Sequence, residues 1–399
     1  MDFALTPDQL HIRDVCRTLA EDFAGRAAEH DRDASSPRKD YEALRDAGLY
    51  GLMVPKDLGG WGAGFVGYAI AAEELAQGSP ATAMSFNMHC ALLGLAFKLP
   101  IPEVVKKQIA DLVVKEGKLV CGSLSETGHT GRLYASRICS TQLRRTGDGY
   151  VLNGRKNFCT MAEAADFIAL YAHPTEEADN PGAAILLFLP TGLPGLRIEP
   201  AWDTLGMRAT RSDTLIMEDC RVPPEAVIEP VVPSLPDLLR DTDPILNNPY
   251  TAVYLGIGVG AFRAAIASVK DRVPKGYSQP VAYLPEIRRR VAVMSAQLEA
   301  ARRLLHYAAW LVDTDAPPAE TLAAFLKAKY VVGETVASAT RSALEMGGAH
   351  ATFKGSALER FFRDGATATI MPPPSDFCLN QLGISELDLD PAEVLPTLR

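Results

Sequence analysis

The sequence offers no metal framework and no disulfide framework. Its seven cysteines (Cys16, Cys90, Cys121, Cys139, Cys159, Cys220 and Cys378) are spread along 399 residues, and none forms a CxxC pair. An odd count at wide spacing points to reduced thiols rather than to zinc ligands or structural bridges. A basic face is missing too. Lys+Arg number 40 against 49 Asp+Glu, for a formal net charge of −9, so no nucleic-acid partner is expected, since phosphate contacts need clustered cations. The amino terminus, MDFALTPDQLH, has no basic n-region and no long apolar stretch. A secretory signal is therefore not expected, and the cytoplasm is the expected compartment. Two uncharged stretches invite a test as membrane spans, Gly78–Phe97 and Pro244–Phe262. The first is broken by Ser79, Pro80, Ser85, Asn87 and His89, the second by Asn247, Asn248 and prolines. A span needs about 20 predominantly apolar residues, so both are expected to be buried helices. No internal repeat and no low-complexity tract is present.

What remains is ordinary globular composition, 47% hydrophobic and 22% charged, at a length that suggests two or three compact units. The first third reads as helix. Thr6-Pro7-Asp8-Gln9 is an N-cap, a first-turn proline and an N3 Gln, and so forms a capping box. Ile12, Val15, Cys16, Leu19 and Phe23 follow at helical spacing. Gly48 can stop a helix through Tyr41 and Leu44 in the left-handed conformation. After the glycine-rich Pro55–Gly64 loop, helices are expected near Phe65–Ala76, Ala81–Phe97 and Pro102–Lys115.

The period changes near Leu119. Leu119–Leu124, Arg137–Gln142, Tyr150–Asn153, Phe167–Tyr171, Ala184–Leu189 and Thr214–Glu218 are short strand-forming segments. Gly147-Asp148-Gly149, Asn180-Pro181-Gly182 and Leu193-Pro194-Gly195 separate them as turns, a pattern of antiparallel sandwich or barrel. Pro230–Pro236 reads as a connector. Helical period returns from about Pro249, with an apolar stripe through Val291, Met294, Leu298, Ala301, Leu305, Ala308 and Leu311, and a further helix over Pro317–Glu334 that can run on to Glu345.

Several motifs follow one another in this frame. They are Leu52-Met53-Val54-Pro55 with Gly59-Gly60, Ser125-Glu126-Thr127-Gly128, Tyr150–Thr160 (YVLNGRKNFCT), Leu205-Gly206-Met207-Arg208-Ala209, Glu218–Pro223, Gly347-Gly348 and Arg363-Asp364. Together they resemble the acyl-CoA dehydrogenase family of flavoproteins, over nearly the whole chain. The resemblance implies an α+β fold in three domains: an amino-terminal helical domain over 1–117, a middle antiparallel β domain over 118–227 and a carboxy-terminal four-helix bundle over 228–399. It implies FAD as cofactor, a homodimer or homotetramer, and an acyl-CoA or acyl-carrier substrate, with an electron-transfer partner or oxygen taking the electrons. An isoalloxazine ring needs hydrogen bonds to its polar edge and an apolar wall against its face. Ser125 and Thr160 are expected to supply the first, Phe158 the second, with Cys159 in the same segment. Phe158 in isolation reads as core, and Asn153-Gly154 as a hairpin turn. Gly347-Gly348 reads as a helix C-cap, and the resemblance places it near the adenosine of a neighbouring subunit's FAD. His89 reads as a buried, hydrogen-bonded histidine, and Arg208 is given no role.

The departures from the family pattern bear on chemistry. The family's usual base is a Glu shortly after the Arg-Asp block, and here that position is Pro372, which cannot titrate. The alternative position, early in the third-domain helix, is Tyr250, a poor base at neutral pH. The nearest carboxylate is Asp376, whose plainer role is to complement a helix dipole. Where the family has an Arg toward a partner's FAD pyrophosphate, this chain has Pro274-Lys275-Gly276-Tyr277, leaving Arg272 or Lys275 as substitutes. Catalytic residues stay unassigned. Three readings stand: a dehydrogenase-type oxidoreductase with its base elsewhere, a flavin monooxygenase in which a residue such as His89 stabilises a flavin peroxide, and a silent subunit paired with an active homologue.

Overall fold

The computed structural model describes residues 4–128 and 138–390. The chain opens with α1 (Pro7–Ala24), α2 (Ala27–Asp33), α3 (Arg38–Asp46), α4 (Gly64–Gly78), α5 (Pro80–Lys98) and α6 (Glu103–Ala110), the last running on into a π turn over Asp111–Lys115. The capping box is formed: the Thr6 hydroxyl accepts from Gln9 N, and the Gln9 side chain accepts from Thr6 N. Gly48 sits at φ 76°, as a left-handed stop requires. The amino end of α4 is capped from far along the chain, where Asp313 accepts from Phe65 N at 2.6 Å and Val66 N at 2.9 Å.

The middle unit is a single mixed sheet. Its strands are β1 (Val120–Ser123), β2 (Gln142–Arg145), β3 (Tyr150–Cys159), β4 (Phe167–Pro174), β5 (Ala184–Pro190), β6 (Leu196–Glu199), β7 (Asp213–Val222) and β8 (Val227–Val232). They lie in the order β6-β7-β3-β2-β4-β5-β8, with β1 on β4. The expected antiparallel arrangement holds for most ladders, but β1–β4 and β2–β4 run parallel. The β1 segment enters straight from the helical domain, and no hairpin constrains its direction. Three local expectations are corrected. The strand expected over Arg137–Gln142 begins only at Gln142, and Arg137 itself lies outside the described residues. Asn153-Gly154 is no turn: β3 continues through it with a bulge, because Gly154 at φ 157° packs against Thr141, where a Cβ would sit 2.5 Å from Oγ1. The Pro230 region is strand rather than connector, with Ala184 paired to Val232, so the expected boundary at 227 falls on the first residue of β8.

The carboxy-terminal unit comprises α7 (Leu235–Lys270), α8 (Pro285–Asp313), α9 (Pro318–Gly347), α10 (Ala357–Gly365) and α11 (Ser375–Glu386). The long α7 is apolar enough by length and composition to cross a membrane, but 67% of its apolar window is buried inside the chain, where Val253, Tyr254, Leu255 and Ile257 join the main core. The apolar stripe of α8 faces its own bundle: Met294, Leu298, Ala301, Leu305, Ala308 and Leu311 are all buried within this one chain, so the stripe is no evidence for a partner subunit. Helix α10 is the junction of the molecule. Arg363 pairs with Asp31 of α2 at 2.5 Å and donates to the Leu205 carbonyl at 3.0 Å. Its neighbour Asp364 accepts from Met207 N at 2.6 Å.

Candidate functional site

The second half of β3 builds the candidate site. Lys156 points into the domain and pairs with Glu126, both side chains being essentially fully buried. The Glu126 carboxylate also accepts from Ser140 N and Thr141 N. Burial alone would raise its pKa, but the Lys156 charge and the hydrogen bonds outweigh that and hold the carboxyl below its ordinary value. The pair thus clamps the Ser125–Thr127 segment beside β3. A second bulge at Asn157-Phe158 turns the strand over. Asn157 N donates to the Ser125 carbonyl at 2.8 Å, which brings Ser125 next to Phe158.

Phe158 is not core. Its φ is 58°, its side chain is 63% exposed, and its ring meets Trp202 edge-on at 6.1 Å. An aromatic residue held in the left-handed region is costly and marks a site where surrounding structure imposes the conformation. Thr160 lies just beyond, with its hydroxyl 2.8 Å from that of Ser212. Ser125, Phe158 and Thr160 therefore lie in one region at the end of β3, with an exposed aromatic face and hydroxyls. That donor set fits a flat, polar-edged ring. Cys159 does not join them through its side chain, because its thiol lies 2.6 Å from Ser123 Oγ in the core and burial raises its pKa to about 11. Only its main chain is available to a cofactor.

Gly347-Gly348 lies at the end of α9, away from this cluster in the chain's own contacts. Gly348 has φ 70°, and a Cβ on Gly347 would come within 2.5 Å of Ala351 Cβ. Arg272, considered above for a pyrophosphate, donates instead to the Met346 and Gly347 carbonyls at 2.8 Å. Lys275 and Tyr277 are exposed. Arg208 ties the β domain to α2 through the Asp31 carbonyl at 3.0 Å.

His89 is excluded as a proton donor to any ligand. It is fully buried, with Val120 N donating to Nδ1 at 3.1 Å and Nε2 donating to the Tyr50 carbonyl at 2.9 Å. Burial lowers its pKa to about 4. At the two positions considered for a base, Pro372 is exposed and Tyr250 Oη donates to Met88 Sδ at 3.3 Å. Asp376 is exposed in the first turn of α11, where it complements the dipole. Sequence reasoning passed over Lys329, which is 1% exposed and donates to the Ala368 carbonyl at 2.8 Å, behind the turn that leads to Pro372. Burial lowers its pKa to about 8. The available signal was a lysine on the apolar face of Phe325–Val332. Among the described residues no group of three or more His, Cys, Asp or Glu is placed to hold a metal ion.

Comparison with known proteins decides the family. Residues 6–104 match the acyl-CoA dehydrogenase N-terminal domain, 121–220 the middle domain and 250–383 the C-terminal domain. The chain belongs to the acyl-CoA dehydrogenase family. A probable acyl-CoA dehydrogenase of Bacillus subtilis is 27% identical over 367 residues, 91% of this chain and 94% of its own. Butyryl-CoA dehydrogenase from Megasphaera elsdenii superposes with a TM-score of 0.88 at 24% identity, covering 97% of this chain and 100% of that one. FMN-bound TdsC from Paenibacillus does so with a TM-score of 0.84 at 23% identity, covering 95% and 97%. The cofactor of the acyl-CoA dehydrogenase family is FAD, and its members are FAD-dependent oxidoreductases.

Proposed function

We propose that the chain is an FAD-dependent oxidoreductase acting on an acyl thioester, with no base at the family's usual position. The placement of Ser125, Phe158 and Thr160 around the end of β3, with Pro372 at the position of the family's carboxylate, is the observation that supports this reading. FAD bound there would accept two electrons from the substrate's β-carbon as hydride. Phe158 would wall the ring, Ser125 and Thr160 would bond its polar edge, and the Glu126–Lys156 pair would hold the Ser125 segment in register. Removal of an α-proton needs a positioned base with a pKa near the working pH, and neither Pro372 nor the hydrogen-bonded Tyr250 supplies one, so the α-proton would pass to a base placed elsewhere or supplied by a partner subunit. In this reading the protein works in the cytoplasm as a homodimer or homotetramer and passes electrons to a protein partner or to oxygen.

The test starts with the visible spectrum of the purified protein, which shows flavin bands if the reading holds. Anaerobic addition of acyl-CoA then bleaches them. Installing Glu at position 372 is expected to raise dehydrogenase turnover from a low baseline. The monooxygenase reading is favoured by the same vacated position, since it needs no α-proton base. If the flavin were reduced only by NADH and a reductase, and oxygen were then inserted into a substrate, that reading would replace the first.

A further inference from the structure

Arg360 of α10 is a buried cation without a partner. Its side chain is 6% exposed, its Nε is shut off from solvent with no acceptor, and among the described residues no carboxylate forms an ion pair with it. Asp364 stands one turn further along α10, but its carboxylate accepts from Met207 N at 2.6 Å. Both Asp31 oxygens are taken by Arg363, which also holds Glu359. Burial pushes the Arg360 guanidinium down in spite of these neighbours, yet a guanidinium stays charged at any working pH.

Arg360 lines a cavity of about 10 Å³, room for one water-sized or halide-sized particle. Arg208, Asp31, Asp364, His30 and the first turn of α5 share its wall. The Ser79 cap takes the N–H of Thr82, which leaves the Ala81 N–H in that turn with no intrahelical carbonyl. This helix end carries partial positive charge. His30 Nε2 is buried with no partner, while Nδ1 lies 3.2 Å from Ser35 Oγ. Nε2 is a donor whenever Ser35 donates to Nδ1 or the ring is protonated.

Three guanidiniums (Arg208, Arg360 and Arg363) stand here among three carboxylates (Asp31, Glu359 and Asp364), so their charges balance and a water fits. Asp203, the outlying partner of Arg208, is 94% exposed and screened by solvent. On the α7 side the neighbouring acid is Tyr254, which burial pushes up and keeps neutral. One proton on Asp364 leaves a positive charge unmatched beside the amino end of α5.

We propose that this cavity is a proton-linked binding site for a small monovalent anion of the chloride type, which enters as Asp364 takes up its proton and ties α2, α5, the Met207 loop and α10 together. Desolvation already lifts the Asp364 pKa to about 6, so uptake belongs to mild acid. Proton and anion then raise each other's affinity by the same factor. The inference is independent of the flavin reading.

The experiment compares thermal midpoints of the full chain in chloride and in gluconate at equal ionic strength, at about pH 5 and about pH 8, either side of the Asp364 titration. Wild type is expected to gain from chloride at the lower pH only. Asp364→Asn, neutral throughout, should gain at both, and Arg360→Met at neither. If the protonated form binds the anion about tenfold more tightly, saturating chloride raises the Asp364 midpoint by about one pH unit. Bromide in place of chloride should give an anomalous diffraction peak in the cavity at the lower pH, a readout that needs no variant to fold. Equal wild-type midpoints in the two salts at the lower pH, or a water alone in the cavity of the bromide crystal, overturns the anion site. A chloride gain in Asp364→Asn confined to the lower pH assigns the proton to His30 and overturns the link to Asp364.

Discussion

Replacing Lys156 with Met tests the foundation of the candidate site. The ammonium is fully buried against Glu126, whose carboxylate also accepts from the backbone N–H groups of Ser140 and Thr141. Methionine matches the volume, so the change removes a charge and leaves little cavity. Breaking a buried pair by deleting one partner strands the other charge and costs about 3–5 kcal/mol. The pH dependence should change sign as well. In the wild type the Glu126 carboxyl lies below its unfolded value, so its contribution is present above that value and is lost as pH falls through the folded one. Without Lys156, burial dominates and the carboxyl moves above its unfolded value. Stability of the variant should then rise as pH is lowered from about 8 to about 5, as protonation relieves the buried charge. Urea unfolding at the two pH values, with unchanged slope against denaturant, measures both effects. A variant within about 1 kcal/mol of wild type at about pH 8, well short of the cost of a stranded charge, would refute the argument. So would a variant less stable in mild acid than in mild base. Adding Glu126→Leu should recover much of the loss, because a neutral pair needs no compensation.

Three further outcomes are expected. Phe158→Asp should fold but lose most of its flavin, by the ratio of visible to protein absorbance, because it places a carboxylate where an apolar wall meets the ring. Asp364 is fully buried, and desolvation lifts its pKa to about 6 against the bond from Met207. Its stabilising contribution is therefore present below its unfolded value and is lost as pH rises through about 6, and Asp364→Asn should flatten that slope and gain up to about 3 kcal/mol at about pH 8 in denaturant titrations. Asp313→Ala removes the cap on α4 supplied by two backbone bonds and should cost about 1–2 kcal/mol, visible as a lowered thermal midpoint.

The helices were legible because their signals are local. Thr6 and Gln9 are three residues apart, and the stripe from Val291 to Leu311 follows one surface of one helix. The sheet was legible only where strands alternate cleanly between turns. Leu196–Glu199 is too short to show a period, and Val227–Val232 carries Pro230, which argues against a strand unless the strand lies at an edge, as β8 does. At the site, Ser125, Phe158 and Thr160 could be marked by resemblance, and Pro372 stood out by what it lacks. The contact between the Thr160 and Ser212 hydroxyls could not be read. Its partners are 52 residues apart along the chain and meet only through the β3–β7 register. Nothing in the strand marks Lys156 as buried, because its partner Glu126 comes from a loop 30 residues earlier.

The junction on α10 also constrains how the protein is made. Asp31 is translated early, yet its ion-pair partner Arg363 follows 332 residues later, and the Met207 peptide waits on Asp364 for its acceptor. At about 5–20 residues per second, the ribosome works for roughly 15–70 seconds between the two ends of that bond. Throughout that interval the nascent α2 and the loop after Trp202 lack the helix that joins them. The amino-terminal and middle units therefore wait as incomplete intermediates until α10 has emerged and can join them. A chain truncated just before Arg363 should therefore be more protease-sensitive around α2 and the Trp202–Met207 loop than the full chain.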